Sequence, residues 1–252
     1  MYKISIILPT YDERENIIDL ILAIDKYVKE DKEIIVVDDN SPDGTSQIVQ
    51  NFIAQKKIAN LKLITRTKNK GLTNSIWEGI QNAQGKIIVW MDCDFSMPPE
   101  LIPKLIEKID KGYDISVGSR FVKGGSFKKD TKGSGDSWLA VILSRLMNVF
   151  IWIALDGSFK DYTSGFIAIK KEVFKKIKLQ GDYGEYFMDL IFRAILFNYK
   201  IIEIPYVCLP RAKGYSKTGQ NLIDYIKRGT KYIIVALRLF IFKIKYKLFK
   251  IT

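Results

Sequence analysis

Asp92 and Asp94 stand one residue apart at the end of an apolar run, Ile87-Ile88-Val89-Trp90-Met91. In an extended chain residues i and i+2 project to the same side, so both carboxylates can face one cleft beyond the run's C-terminal end. Two hard oxygen ligands so placed suit Mg²⁺ or Mn²⁺ carrying a substrate phosphate. An Asp-x-Asp alone is a common pattern and as often an ordinary polar turn. A second apolar run, Glu33-Ile34-Ile35-Val36-Val37, also leads into paired acids, Asp38-Asp39. Two strands ending this way is a rarer coincidence.

Composition narrows the chemistry. The chain has 252 residues, 47% of them hydrophobic, enough for one sizeable domain or two small ones. It contains no histidine, which excludes Ser-His-Asp catalysis, histidine-ligated zinc and imidazole general bases. Any base must be a carboxylate, or the reaction must need none. Cys93 and Cys208 form no spaced metal motif and read as reduced thiols, with a disulfide as the alternative. The net charge of +12 favours an anionic partner: nucleotide phosphates, an anionic membrane surface or nucleic acid. Basic and aromatic residues do not interleave as in single-strand binding platforms, which counts against nucleic acid. Met1–Ser5 runs directly into a strand pattern, so no signal peptide is expected.

The elements that must position these acids alternate. Strand patterns at Ile4–Leu8, Ile34–Val37, Leu61–Thr65 and Ile87–Met91 are separated by helical patterns at Glu13–Tyr27, from Thr45 to about Ala54, and Leu72–Ala83. This repetition predicts an α/β, Rossmann-like fold with a mostly parallel central sheet and ligands at the strands' carboxyl ends. Ile115–Ser119 is a further short strand, followed by Arg120. Residues 121–137 are polar, glycine-rich and basic, a mobile loop that is either a surface insertion or an active-site lid. Leu139–Leu155 is apolar but interrupted by Ser144 and Arg145, too short and too charged for a membrane span.

From Tyr225 onward no acidic residue occurs, and Lys227, Lys231, Arg238 and Lys245 fall on one helical stripe. This basic amphipathic pattern predicts a segment lying on an anionic membrane surface, the alternative being a helix docked on the core with solvated lysines. The alternation Lys243-Ile244-Lys245-Tyr246-Lys247 also permits a strand. The chain divides into residues 1–228, carrying the site, and a C-terminal segment 229–252.

Several segments occur in a recognisable order. They are Pro9-Thr10-Tyr11-Asp12-Glu13, Val37-Asp38-Asp39-Asn40-Ser41-Pro42-Asp43-Gly44-Thr45, Lys70-Gly71-Leu72, Met91-Asp92-Cys93-Asp94, Gly118-Ser119-Arg120 and Ser164-Gly165-Phe166. A basic segment, Arg211-Ala212-Lys213-Gly214-Tyr215-Ser216-Lys217, follows. Together they resemble family-2 glycosyltransferases, and within them the dolichyl-phosphate mannosyltransferase branch, over residues 3 to 228. The resemblance implies a GT-A fold. It assigns Pro9, Tyr11, Glu13, Val37, Asp39, Lys70, Asp92, Cys93, Asp94, Ser96 and Arg120 to the nucleotide-sugar, with Asp39 on ribose or base. Asp92 and Asp94 would hold Mg²⁺ or Mn²⁺ between the donor's phosphates, and Asp94 and Arg120 would act in catalysis. Ser144, Arg145, Arg211, Lys213, Ser216 and Lys217 would hold an acceptor phosphate. Three departures from the branch stand out: Ala140 and Val141 lie where an arginine is often found, Tyr215 replaces the usual glutamate, and Ser96 stands where some members carry a glutamine.

The resemblance implies inverting transfer of a hexose, mannose from GDP-mannose first, to a polyprenyl or dolichyl phosphate. That acceptor is already an anionic nucleophile, so the missing histidine fits. An alcohol acceptor would need a base, for which Asp189 is the candidate, unless it is an ordinary helix-surface acid. The expected setting is cytoplasmic and peripheral, at the cytoplasmic face of a membrane, held by the C-terminal stripe or by an anchoring membrane subunit. A UDP-sugar donor is the second reading. A catalytically silent basic module binding membrane or nucleic acid is the reading from another class.

Overall fold

A computed structural model describes residues 3–128, 138–214 and 222–249, without the side chains of 138–141, 143, 144, 222–228 and 249. Its centre is a seven-stranded sheet with strand order β3-β2-β1-β4-β7-β5-β8. The strands are β1 (Ile4–Thr10), β2 (Lys32–Asp38), β3 (Leu61–Thr65), β4 (Ile87–Trp90), β5 (Ile115–Ser119), β7 (Ile167–Lys170) and β8 (Ile201–Pro205). Only β7 runs antiparallel to its neighbours β4 and β5; the other pairs are parallel. A separate parallel pair joins β6 (Ser126–Phe127) to β9 (Val207–Cys208).

The central strands are largely apolar because both faces of the sheet are covered there. Alternation decides which helix each side chain meets. Ile4, Ile6, Leu8, Ile34 and Val36 face α1 (Ile17–Tyr27), α2 (Thr45–Ala54) and α4 (Ile102–Asp110). Ile7, Ile35, Val37, Ile88 and Trp90 face α3 (Leu72–Asn82), α5 (Trp138–Ala154), α6 (Glu185–Leu196) and α7 (Leu222–Phe249). The expected α/β class and mostly parallel sheet are therefore present. Strand β7, the only antiparallel member, was not read from the sequence.

Helix α7 corrects the picture of the C-terminus. It is one continuous helix from Leu222 to Phe249, with no strand near its end, and it spans the expected division at 228/229. Part of its basic stripe turns toward the body: Lys231 pairs with Asp182 at 2.9 Å and Arg238 with Asp189 at 2.9 Å. Lys245 is exposed, and the side chain of Lys227 lies outside the described residues. Beside the exposed Lys231, Arg238, Lys245 and Lys247, α7 also shows an apolar set to solvent: Ile233, Ile234, Leu237, Phe240, Ile241, Ile244 and Leu248. Helix α5 is buried at Asn148 and Ile151 but exposes Ile142, Leu146, Val149, Phe150 and Ile153. No helix among the described residues is long and apolar enough to cross a membrane. Of the expected loop 121–137, residues 121–128 lead into β6, and 129–137 lie outside the described residues.

Helix α3 lies unusually close to β1. A Cβ added at Gly79 would sit 2.5 Å from Ile7 Cγ2, inside the packed interior. Gly79→Ala is therefore expected to cost about 1–3 kcal/mol in urea unfolding. Ile7→Ala removes the obstructing atoms, so the double variant should lose less than the sum of the two single losses. Full additivity would show that α3 does not press on β1 in this way.

Candidate active site

Because β1, β2 and β4 are adjacent and parallel, their C-terminal ends open on one edge of the sheet. Each is followed by a loop with a non-glycine residue in the left-handed region: Asp12 (φ 55), Asn40 (φ 55) and Phe95 (φ 64). Such backbone persists where surrounding contacts fix it, and it gathers at functional sites.

The paired acids after β2 are both internal. Asp38 is fully buried and accepts hydrogen bonds from Thr10 Oγ1 (3.0 Å), the Ser41 amide (3.0 Å) and Ser46 Oγ (2.6 Å). It fastens its own loop to the end of β1. Asp39 accepts from Arg66 Nη1 (2.6 Å), Ser75 Oγ (2.8 Å) and the Gly71 amide (2.6 Å). Its oxygens thus organise the wall expected to face the nucleotide, and exposed Lys70 stands at the rim beside Gly71. Arg66, nearly buried, was not singled out from the sequence. Its position just past β3 was the available signal.

The second acidic group follows β4. Asp94 Oδ1 accepts the Ser96 amide (3.0 Å), while Oδ2 faces Arg211 Nη2 at 3.1 Å. Arg211 Nη1 lies 2.9 Å from both oxygens of Glu13, a nearly buried side chain. Asp92 has no hydrogen-bond or ion-pair partner for its carboxylate among the described residues. Its tip is open to solvent, but the surrounding protein and the nearby Asp94 and Glu13 push its carboxyl up to about 7, against the pull of Arg211 and Arg120. Cys93 points the other way, its thiol buried and donating to the Pro9 carbonyl at 3.4 Å. The i, i+2 expectation for Asp92 and Asp94 is consistent with that alternation.

Arg211 is held there by its backbone. The Leu209 amide donates to the Ser96 carbonyl (3.0 Å) and the Ala212 amide to the Asp94 carbonyl (2.9 Å). Asn16 Nδ2 bridges Glu13 (3.0 Å) and the Lys213 carbonyl (3.1 Å). Residues 209–213 therefore lie as a strap across the two acidic loops.

This arrangement fits a divalent cation brought by phosphates. No group of three or more Asp, Glu, Cys or His side chains able to cage an ion occurs among the described residues. Asp92 and Asp94 offer carboxylates, one unpartnered and one met by a guanidinium, so a diphosphate would complete the ligand set.

Arg120 belongs to a separate hub. It meets fully buried Asp161 through Nε (2.9 Å) and Nη2 (2.7 Å), and Thr163 Oγ1 through Nη2 (2.8 Å). Its Nη1 makes no hydrogen bond among the described residues. The guanidinium also lies against the rings of Phe121 and Phe127. Asn148 of α5 donates to Thr163 Oγ1 (2.7 Å), which ties α5 to this hub.

The remaining expected residues scatter. Tyr11 is exposed at the rim, and Val37 is buried in the core, leaving only its backbone near the edge. Pro9 presents its carbonyl to Cys93, and Ser96 joins Asp94 to the strap. Of the acceptor set, Arg211 stands on Glu13 and Asp94, whereas Lys213 pairs with Asp19 on α1 at 3.2 Å. Arg145 is exposed on α5; Ser216, Lys217 and the Ser144 side chain lie outside the described residues. Asp189 is neither a surface acid nor an available base. It is fully buried, 2.9 Å from both Arg193 and Arg238, and fastens α7 to α6.

The family model for glycosyl transferase family 2 matches residues 5–178. The chain is 37% identical over 233 residues to the dolichol-phosphate mannosyltransferase of Pyrococcus furiosus, covering 89% of this chain and 62% of that protein's length. It is 32% identical over 224 residues to the polyprenol monophosphomannose synthase of Mycolicibacterium smegmatis, covering 86% and 82%. Among solved structures it resembles glucosyl-3-phosphoglycerate synthase from Mycobacterium tuberculosis in complex with Mn²⁺, UDP and phosphoglyceric acid. The TM-score is 0.71 at 18% identity, over 95% of this chain and 78% of that one, a likeness of GT-A fold.

Arg211 neutralises the acids that would hold a metal, so it competes with Mn²⁺ when no diphosphate is present. Arg211→Gln should tighten binding of Mn²⁺ alone about tenfold, or about 1.4 kcal/mol, by electron paramagnetic resonance of the free ion. Because Asp92 must lose its proton to ligate, wild-type Mn²⁺ affinity should rise between pH 6 and pH 8, with protons released on binding. Weaker Mn²⁺ binding by the variant, or an affinity independent of pH, would contradict the assignment.

Proposed function

The chain belongs to glycosyl transferase family 2, and on that premise we propose that it transfers a hexose from a nucleotide-sugar to a polyprenyl phosphate with inversion. GDP-mannose is the first donor to test. The observation that carries this reading is the Glu13–Asp92–Asp94 cluster with one arginine standing on it. A site of this kind favours a metal-borne diphosphate. The names of the two relatives, both mannose transferases to lipid phosphates, support the acceptor class.

In this reading Asp92 and Asp94 would hold Mg²⁺ or Mn²⁺, and the ion would supply charge neutralisation for the departing diphosphate. Asp39, Arg66 and Gly71 shape the wall on which the nucleoside rests. An oxygen of the acceptor phosphate forms the new bond to the anomeric carbon. The bond from that carbon to the donor's phosphate oxygen breaks, and its electrons leave with the nucleoside diphosphate. No proton has to be removed, which agrees with the absence of histidine and the burial of Asp189 between two arginines. Arg211, once displaced from Asp94, would be free to meet a phosphate, and Arg120 would offer Nη1.

Membrane attachment follows from the apolar faces of α5 and α7. Contiguous exposed apolar surface on this scale marks an interaction site, and an acceptor with a polyprenyl tail requires the enzyme at a bilayer surface. We place the protein peripherally at the cytoplasmic face, with these two helices as the contact and Lys245 at the headgroups.

The protein should label lipid product when incubated with Mn²⁺, radiolabelled GDP-mannose and vesicles carrying polyprenyl phosphate, with UDP-glucose as the second donor arm. Excess chelator should abolish transfer, and Asp94→Ala should lower it about 10²-fold or more. Label confined to soluble product would overturn the acceptor class, and full activity in chelator would overturn the metal. The same vesicles should carry the wild-type chain to the top of a density gradient, whereas Ile234→Asp/Leu237→Asp should stay below. Equal flotation would assign attachment elsewhere, including to an anchoring subunit.

A further inference from the structure

Beside the cleft lies a second hollow of about 240 Å³, walled by Asp182, Tyr183, Glu185 and Lys231. It is formed where the turn entering α6 meets α7. On one flank, the Asp182 carbonyl lies 3.7 Å from where a Cβ on Gly71 would stand, and the Gly71 amide is the one bonded to Asp39. On the other flank, Tyr186 accepts a hydrogen bond from Trp90 Nε1 at 2.9 Å, two residues before Asp92. The turn that walls the hollow therefore packs beside Gly71 of the nucleotide wall, and α6 packs beside the strand that precedes Asp92.

Glu185 is 3% exposed. One of its oxygens accepts the Asp182 amide at 3.0 Å, and the other has no partner among the described residues. Leaving a buried carboxylate oxygen without a donor is unfavourable, so the arrangement suits a donor supplied by a ligand. The turn is shaped around this group. Gly181 has φ +121, and a Cβ there would lie 3.3 Å from the bonded Glu185 oxygen. The charges set the ligand's class. Two carboxylates face one ammonium, and Lys231 is already paired with Asp182 at 2.9 Å. That excess repels a phosphate and favours a neutral group rich in hydroxyl donors.

We propose that this hollow receives the donor's hexose. Sugar hydroxyls donate to the free Glu185 oxygen and to Asp182, and Lys231 donates to a sugar oxygen. The inference rests on the transfer reading above, and adds to it the residues that read the sugar. It makes Glu185 and Asp182 determinants of sugar recognition, separate from those that hold the nucleotide.

Calorimetry in Mn²⁺ on the full chain tests this, comparing GDP-mannose with GDP and UDP-glucose with UDP. Glu185→Gln keeps the acceptor for the Asp182 amide and the side-chain shape. It should weaken the sugar-nucleotide about tenfold or more, and leave the matching diphosphate within about twofold. Asp182→Asn, at an exposed side chain, should shift the same comparison in the same direction, and serves if Glu185→Gln does not fold. Unchanged affinities in a folded variant, or equal losses for sugar-nucleotide and diphosphate, would overturn the sugar site while leaving the transfer reading intact. A wild-type chain that binds none of the four would overturn the transfer reading and this inference together.

Discussion

Glu13, Asp92 and Asp94 crowd the C-terminal ends of two adjacent strands, and three carboxylates this close cannot all carry charge without a cation among them. Arg211 supplies one, touching Glu13 and Asp94 at 2.9 and 3.1 Å. Asp92 is left without a partner and holds its proton up to about 7. Much of the architecture serves to maintain this imbalance. Parallel pairing of β1 with β4 fixes how near Glu13 stands to the Asp92 loop. The backbone bonds of residues 209–213 keep the arginine on the acids. A site left short of positive charge would suit a metal-borne diphosphate.

Around it the polar interior is built from closed units. Asp38 serves its own loop; Asp39 draws together Arg66, Gly71 and Ser75; Asp161 holds Arg120 and is itself positioned by Glu203, which accepts the Lys160 and Asp161 amides at 2.9 and 3.0 Å. Buried polar networks are rigid when fully bonded, and here they surround a cleft whose own members are not. The contrast separates scaffold from site. Asp38 and Asp161 are held by several hydrogen bonds, while the Asp92 carboxylate, Arg120 Nη1 and one Glu185 oxygen have no partner among the described residues.

Much of this was legible in the sequence because strand periodicity is local. Apolar runs ending in Asp38-Asp39 and Asp92-Cys93-Asp94 announced both the sheet and its working edge. What depended on remote partners was not legible. Strand β7 is four residues long and takes its place from pairing with β4 and β5. Lys213 and Arg211 are two residues apart in one basic segment, yet one meets Asp19 and the other meets Glu13 and Asp94. The stripe on α7 looked like an outward basic face. Buried Asp189 and exposed Asp182 pair with Arg238 and Lys231, which stay about half exposed beside the outward apolar residues. Glu185 gave no signal at all, since its significance lies in an unmet hydrogen bond.

Arg211 stands, electrostatically, where a divalent cation would be needed when a diphosphate arrives. Crystals grown with Mn²⁺ and a nucleoside diphosphate, measured at the manganese absorption edge, decide the matter. The expected result is an anomalous peak at Asp92 and Asp94, with the Arg211 guanidinium withdrawn from Asp94. A bound diphosphate with no manganese at these carboxylates, and Arg211 still paired to Asp94, would contradict it.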